Sequence, residues 1–195
     1  MININPMRIP GRWQQGFVLD VHTLSSEFLG YDEFGRNVFD TKRSDIGELL
    51  YRLKYRSDKA VLESIVDTAL QFIASWKPNI SIIVPVPPSK TRIFQPVTEI
   101  AKALSNRLNI PCCEDCIIKS RATPELKNVY EYNERIRLLD TAFTMNKPLD
   151  GASVLLFDDL YRSGATLNAL TEILYNKGHV THIYALALTR TRNTS

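Results

Sequence analysis

Long apolar runs, blocks of like charge and internal repeats are all missing from this sequence of 195 residues. No stretch of roughly 18 apolar residues is present that could span a bilayer, and the N-terminus MININPMRIPGRWQQG lacks the apolar core of a secretory signal. The 24 basic and 21 acidic side chains nearly balance, which gives no argument for nucleic-acid binding. We therefore expect a cytoplasmic protein without a membrane segment, and direct nucleic-acid binding is not expected.

Cysteine is scarce, and its three residues are confined to the stretch CCEDC at 112–116. An odd number does not suit a disulfide framework and fits a reducing compartment. A structural zinc site normally needs four ligands, and none of the three histidines has a suitable spacing to these cysteines. We expect thiols at the edge of a strand and no metal there.

Apolar strands alternate with amphipathic helices through most of the chain. Strands are predicted at 80–86, 153–158 and 183–189, with a weaker one at 110–118. Helices are predicted from Pro96, at 128–139 and at 164–177. Strands that are apolar throughout and separated by helices indicate a parallel sheet covered on both faces. The predicted fold class is therefore α/β, with a doubly wound sheet in residues 48–195.

Residues 1–47 are predicted to form a small N-terminal hairpin segment. GFVLDVHTL alternates like a half-buried strand, and the glycine-bounded turn GYDEFG leads into RNVFD as the return strand of a hairpin. Six aromatic rings in this region could stack on a planar ligand or simply pack the small lobe: they are Trp13, Phe17, Phe28, Tyr31, Phe34 and Phe39.

Two helices follow the hairpin segment. Asp45 and Glu48 form a capping box at the start of the first, and the second is predicted from about Asp58 to Trp76. The basic residues Arg52, Lys54 and Arg56 are expected to lie on a solvated helix face.

The stretch VLLFDDLYRSGATL at 154–167 carries the chemistry. Its apolar strand ends at Asp158 and Asp159, and ligands of parallel sheets bind at the carboxyl ends of strands. The following loop opens a helix, whose first N–H groups favour an anion. It contains neither a Gly-Lys-Ser/Thr phosphate loop nor a Gly-x-Gly-x-x-Gly turn. A phosphate cradle beside two carboxylates suggests a phosphorylated sugar.

Two adjacent carboxylates also repel each other. We expect replacement of both by asparagine to leave stability similar or slightly higher.

This stretch resembles the phosphoribosyl-pyrophosphate (PRPP) signature of type I phosphoribosyltransferases. Over about residues 48–193 the chain looks closest to the competence-associated ComF family. The outer matches are LLYRLKYRSD at 49–58, IVPVPPSKTR at 83–92, RATPELKN at 121–128, ERIRLLDTAF at 134–143 and LALTRTRN at 186–193.

The resemblance implies a set of site residues. Asp158 and Asp159 would hold the ribose hydroxyls and orient water bound to Mg²⁺, without ligating the metal directly. The 5-phosphate loop would be Arg162, Ser163, Gly164, Ala165 and Thr166. The pyrophosphate loop would be Pro87, Pro88, Ser89, Lys90 and Arg92. Arg121 and Lys127 would belong to a flexible loop that closes over the pyrophosphate.

Three departures from the superfamily pattern qualify this assignment. Arg162 stands where enzymes that salvage 6-oxopurines carry an aspartate base, and an arginine cannot accept a proton. The stretch that follows the pyrophosphate loop is shortened to Ile93–Gln95. ComF proteins often begin with a cysteine-rich zinc module, whereas no cysteine precedes Cys112 in this sequence. In its place, the resemblance implies that residues 1–47 form a hood over the site that selects the acceptor.

The resemblance implies an enzyme that uses PRPP and the cofactor Mg²⁺ to transfer phosphoribose to a nitrogen acceptor, a base or an amine. The alternative is a non-catalytic PRPP- or nucleotide-binding regulatory protein associated with DNA uptake. A homodimer is left open, and the acceptor is not readable from the residues.

Overall fold

A five-stranded sheet lies at the centre of the computed structural model, which describes residues 2–88, 94–120 and 142–192. With strands numbered in chain order, the sheet contains β1 (Met7–Arg8), β2 (Gln15–Val21), β5 (Ile82–Pro85), β8 (Ser153–Tyr161) and β9 (His182–Arg190). Their order across the sheet is β1–β2–β9–β8–β5. All neighbouring strands are parallel except the edge pair β1 and β2, which is antiparallel.

Four helices and two small antiparallel strand pairs accompany the sheet in the described residues. The helices are α1 (Asp45–Tyr55), α2 (Leu62–Trp76), α3 (Pro96–Leu108) and α4 (Ala165–Asn176), and a short 3₁₀ turn at Lys59–Val61 precedes α2. The strand pairs are β3 (Thr23–Tyr31) with β4 (Asn37–Arg43), and β6 (Ile117–Lys119) with β7 (Phe143–Met145).

Helices cover both faces of the sheet because successive strand residues point to opposite sides. On one face Leu155 and Phe157 of β8 pack in a cluster with buried residues of α1, α2 and α3, among them Leu50. On the other face Val154 and Leu156 pack with residues of α4. The predicted doubly wound α/β sheet is confirmed, with its parallel strands buried on both sides.

The N-cap of the first helix lies one residue before the predicted one. Ser44, not Asp45, is the N-cap, and its hydroxyl accepts a hydrogen bond from the backbone N–H of Gly47 at 3.1 Å. The predicted cap at Asp45 is therefore wrong by one residue, and Asp45 and Glu48 lie in the first turn instead. There their charge suits the positive end of the helix dipole.

The predicted hairpin is present as β3 and β4, in which Phe28 pairs with Phe39. Strand β2 belongs to the central sheet, where Phe17 pairs with Leu186 of β9. The hairpin is thus the part of residues 1–47 that forms a separate strand pair, while the strands before it extend the main sheet.

The cysteine expectation requires a correction. Cys113 and Cys116 are joined by a disulfide, and Cys112 alone is free. Cys112 forms an isolated parallel bridge with Ile83 of β5 and lies outside the regular strands. Burial raises the pKa of the Cys112 thiol to about 11.

Some predictions fall outside the described residues. They are the helix at 128–139, the pyrophosphate-loop residues Ser89, Lys90 and Arg92, and the flexible-loop residues Arg121 and Lys127. Across the described part of the chain, helices long and apolar enough to cross a membrane are absent.

Candidate functional site

The two adjacent aspartates lie near the carboxyl end of the central strand β8. This strand continues to Tyr161, three residues beyond its predicted end, because β9 offers backbone partners to that point. Asp158 pairs with Ala187 and Leu160 pairs with Thr189 in the parallel register. The carboxylates are therefore held by a regular ladder rather than by a loop.

Strand alternation separates the two carboxylates that the sequence places side by side. Asp158 follows the direction of Leu156, which packs on the α4 face, and Asp159 follows Phe157, which packs on the α1 face. The two carboxylates nevertheless still repel each other, since the charge of Asp159 helps to raise the pKa of Asp158. Each aspartate meets a different set of neighbours.

Asp158 lies half-buried on the α4 side. Its Oδ1 accepts a hydrogen bond from the backbone N–H of Asp159 at 2.8 Å. Burial first, and then the charge of Asp159, raise the pKa of Asp158 to about 7. Within residues 2–88, 94–120 and 142–192, Asp158 makes no ion pair. This carboxyl group is therefore poised to exchange its proton for a cation or a hydroxyl donor near neutral pH.

Asp159 forms an ion pair with Lys54 of α1. The Lys54 Nζ to Asp159 Oδ2 distance is 2.6 Å, and the two side chains are only 16% and 13% exposed. The expectation that Lys54 lies on a solvated helix face is wrong, although it holds for Arg56, which is exposed. Lys54 follows buried Leu50 by one helical turn and so lies on the same side of α1.

A hydroxyl and an imidazole support the backbone of Asp159. The hydroxyl of Thr189, on β9, donates to the carbonyl oxygen of Asp159 at 3.0 Å. The Thr189 Oγ1 is also 3.3 Å from Nδ1 of His22, at the end of β2. Because the hydroxyl proton goes to Asp159, His22 is the donor in that second contact. Burial, with Lys54 and Arg43 nearby, lowers the pKa of His22, which favours the neutral ring.

The loop after β8 leads directly into α4. Gly164 is the N-cap of this helix, with φ +77° and with no side-chain hydrogen bond to the first turn. A Cβ at this position would lie 2.8 Å from the hydroxyl of Tyr161, which is buried beneath the loop. The position needs glycine for its conformation and for its close packing. The uncapped first turn leaves N–H groups that an anion can accept from.

The remaining residues of the predicted phosphate loop surround this turn. Ala165 is buried at the start of α4, Ser163 and Thr166 are half-buried, and Arg162 is exposed. The structure thus brings a backbone cradle and two hydroxyl side chains to one short segment, with one exposed cation before it.

The predicted pyrophosphate loop begins beside the acidic pair. Strand β5 lies next to β8 in parallel register, with Pro85 opposite Phe157. The backbone N–H of Val86 donates to the carbonyl of Phe157 at 2.8 Å, immediately before Asp158. Pro87 is buried and Pro88 is exposed. The described start of this loop therefore leaves the sheet at the carboxyl ends of the strands, where the aspartates also lie.

The six aromatic rings of residues 1–47 divide into two groups. Trp13 is buried in the core, and Phe17 packs edge-on against Trp76 with ring centroids 5.1 Å apart. The other four lie on the hairpin and are 50–72% exposed: they are Phe28, Tyr31, Phe34 and Phe39. Trp13 and Phe17 therefore pack the protein, as one interpretation predicted. For the four hairpin rings, both packing and stacking on a planar ligand stay open.

Lys54, His22 and Thr189 are site residues that the sequence reasoning missed. A signal for Lys54 was present, since its spacing from Ile46 and Leu50 places it on the buried side of α1. His22 and Thr189 had no such signal because strand order alone brings them together.

A direct metal centre has no support in the described residues, where groups of three or more His, Cys, Asp or Glu side chains that could hold an ion are absent. The unpaired, half-buried carboxyl of Asp158 suits a different arrangement, in which Mg²⁺ arrives with a phosphate ligand and reaches the protein through water.

Comparison with known proteins adds one sequence relative. Competence protein ComFC from Bacillus subtilis strain 168 is 29% identical over 145 residues, which make up 73% of this chain and 59% of that protein. The resemblance to the ComF family is confirmed. The chain spans less than two thirds of the length of this relative. No family model matches the sequence.

Solved structures with a similar chain path include adenine phosphoribosyltransferases and a hypoxanthine phosphoribosyltransferase. The adenine enzyme from Saccharomyces cerevisiae has 13% identity, 85% coverage of each chain and a TM-score of 0.46. That from Leishmania tarentolae has 10% identity, coverages of 95% and 94%, and a TM-score of 0.48. The hypoxanthine enzyme from Staphylococcus aureus has 11% identity, coverages of 69% and 68%, and a TM-score of 0.41.

Because these TM-scores are all below 0.5, the fold is assigned from the order and direction of the strands. The chain thus combines a doubly wound sheet and a strand–loop–helix segment that carries the acidic pair with a sequence similarity to ComFC over 73% of its length.

Proposed function

We propose that the protein binds PRPP with Mg²⁺ and transfers its phosphoribosyl group to a nitrogen acceptor, with release of pyrophosphate. One observation carries this proposal. The acidic pair Asp158–Asp159 and the uncapped N-terminus of α4 lie on one continuous segment, beside the end of β5. A ligand with a sugar between two phosphate groups matches that order of features.

Each part of such a ligand has a counterpart in the site. The first-turn N–H groups after Gly164 would receive the 5-phosphate, helped by the hydroxyls of Ser163 and Thr166. The carboxylates would accept hydrogen bonds from the ribose hydroxyls. The pyrophosphate would face the loop that begins at Pro87, with Lys90 and Arg92 as cations and with Arg121 and Lys127 contributed by the flexible loop.

The reaction exchanges one bond at C1 of the ribose for another. The bond from C1 to the pyrophosphate oxygen breaks, and its electron pair leaves with pyrophosphate. The acceptor nitrogen supplies the pair for the new bond to C1 and loses its proton. Positive charge builds on the ring as the bond breaks, and carboxylates held near the ring favour that charge. The pyrophosphate would also carry Mg²⁺, which offsets the charge of the leaving group.

The acceptor would enter from the side of the hairpin. We propose that residues 1–47 act as the hood through β3 and β4, whose exposed rings can stack on a planar base. Arg162 provides no proton acceptor in the loop, which counts against hypoxanthine and guanine.

The proposal is tested by calorimetric titration of the protein with PRPP, with and without Mg²⁺. We expect saturable binding that depends on Mg²⁺, together with a higher melting temperature in the presence of ligand. An unchanged melting temperature at millimolar PRPP would contradict the proposal.

Two glycine variants provide a matched pair for that titration. Gly164→Ala should abolish PRPP binding, because the new Cβ meets Tyr161 and strains a residue of φ +77°. Gly151→Ala introduces the same kind of strain at φ +72°, but a Cβ there meets open space and lies outside the phosphate loop. It should bind PRPP normally. Equal losses in both variants would point to stability rather than to the cradle.

The second candidate is a non-catalytic PRPP- or nucleotide-binding protein associated with DNA uptake, which the name of its relative, competence protein ComFC, favours. The two candidates differ in turnover. Pyrophosphate release from PRPP with one member of a panel of bases and amines supports the enzyme. Tight PRPP binding without release for any acceptor supports the regulatory protein.

A further inference from the structure

The ion pair of Lys54 and Asp159 differs in burial from the other ion pairs of the described residues. Both of its side chains are less than a fifth exposed. Each of the other pairs in residues 2–88, 94–120 and 142–192 has at least one partner that is 40% or more exposed. Burial of an ion pair rarely adds stability, since desolvation offsets the attraction between the charges. A role in ligand binding is therefore the better explanation for this pair.

The position of Lys54 allows it to act on one carboxylate and not equally on the other. Its Nζ contacts Oδ2 of Asp159 directly. Asp158 follows the strand alternation to the other face, and there the charge of Lys54 is only a minor influence that lowers its pKa. The carbonyl of Asp159 is fixed by Thr189, which also contacts His22. Asp159 is thus held at both its side chain and its backbone.

We propose that Lys54 is a positioning residue for PRPP: it neutralises and orients Asp159, so that the acidic pair presents one unpaired carboxylate, that of Asp158, to the ribose. This inference rests on the proposed function. It assigns unequal tasks to the two aspartates and adds a helix α1 residue to the site.

The charge of the ligand gives the physical reason. PRPP carries several negative charges, and two unneutralised carboxylates between its phosphate groups would repel it. Lys54 reduces the net charge of the pair by one unit at a distance of 2.6 Å from Asp159. The interaction is strong because water is largely excluded from both groups.

The test compares PRPP–Mg²⁺ dissociation constants for the full chain and its variants. Lys54→Met keeps the length of the side chain and removes its charge, and we expect affinity to fall by about tenfold or more. Lys54→Arg restores the charge and should recover most of the loss. If Lys54 acted only through packing, restoring its charge would not restore the affinity for PRPP.

A matched control lies on the same helix. Arg52 pairs with Asp58, with Nε and Oδ2 3.0 Å apart, and this pair is more exposed. Arg52→Met therefore removes one positive charge and one ion pair from α1 without touching Asp159. PRPP affinity should stay within about twofold of the unaltered protein, since surface pairs contribute little.

A double-variant cycle covers the case in which Lys54→Met does not fold. Removing both partners of a buried pair is tolerated better than removing one, so the variant Lys54→Met/Asp159→Asn should fold. If Lys54 acts through Asp159, this double variant and Asp159→Asn alone should bind PRPP with equal affinity. A much weaker double variant would show that Lys54 contacts the ligand itself and would overturn the positioning role.

The outcomes separate this inference from the proposed function. Absence of PRPP binding by the unaltered protein rejects both. Normal binding by the unaltered protein and by Lys54→Met rejects the positioning role alone and leaves the proposed function standing.

Discussion

Asp158 and Asp159 have the same side chain and neighbouring places on one strand, yet their surroundings differ. Asp158 has a raised pKa and no ion pair within the described residues, whereas Asp159 lies 2.6 Å from an ammonium group. The difference arises from the alternation of a β-strand, which sends successive side chains to different helices. Proximity in sequence therefore does not imply a shared environment. The two groups still interact, because the charge of Asp159 adds to the rise in the pKa of Asp158.

The largest expected effect is the loss of stability in Asp159→Asn. The substitution leaves Lys54, 16% exposed, without its carboxylate, and an unpaired charge at such a site costs roughly 2–4 kcal/mol. Denaturant unfolding at neutral pH measures this change in the free energy of unfolding. A variant as stable as the unaltered protein would break the contrast between the two aspartates.

Asp158→Asn should instead raise the free energy of unfolding. The folded protein holds the proton of Asp158 up to about pH 7, whereas the unfolded chain releases it near 3.8. Stability is therefore lost as pH rises between these values, and the loss is complete above the folded pKa. Asparagine removes this penalty, so the variant should be more stable by about 1–3 kcal/mol at about pH 8 and should match the unaltered protein near pH 4.

Unfolding titrations of Asp158→Asn at the two pH values measure that difference. A gain of the same size at both would assign the effect to packing rather than to the buried charge. A loss at the higher pH would contradict the raised pKa.

A smaller effect is expected for Thr189→Val, which keeps the shape of the side chain. The fully buried hydroxyl donates to the carbonyl of Asp159 and accepts from His22. Its removal leaves two polar groups without this partner and should cost about 1 kcal/mol in the free energy of unfolding. The NMR shift of the His22 ring nitrogens should change in the same variant. An unchanged shift would show that the ring does not depend on Thr189.

The fold was largely predictable from the sequence because its strands are apolar throughout and its helices have an apolar stripe. Residues 154–157 and 183–189 had that pattern and lie in the central sheet. The acidic pair and Gly164 were also placed correctly, at the end of β8 and at the start of α4.

What could not be predicted depends on contacts between distant segments. The extension of β8 to Tyr161 needs partners on β9, and the pairing of Lys54 with Asp159 joins residues more than a hundred positions apart. The exchange of Asp45 for Ser44 as helix cap is a local error of one residue, since both types are good caps. The disulfide in CCEDC was missed because three cysteines gave no framework to assign.

The two tryptophans of the chain both flank the amino-terminal end of β2. Trp13 lies against Gly11 and Gly16, where any Cβ would come within 2.1 Å of the indole. Trp76 packs between Phe17 and Tyr184 and donates from Nε1 to Gln15 at 2.5 Å. The acidic pair lies toward the other end of the sheet, where the parallel strands finish. Intrinsic fluorescence therefore reports how firmly β2 is held in the sheet, and its emission maximum should shift on detachment of β2 while staying constant during ligand titration.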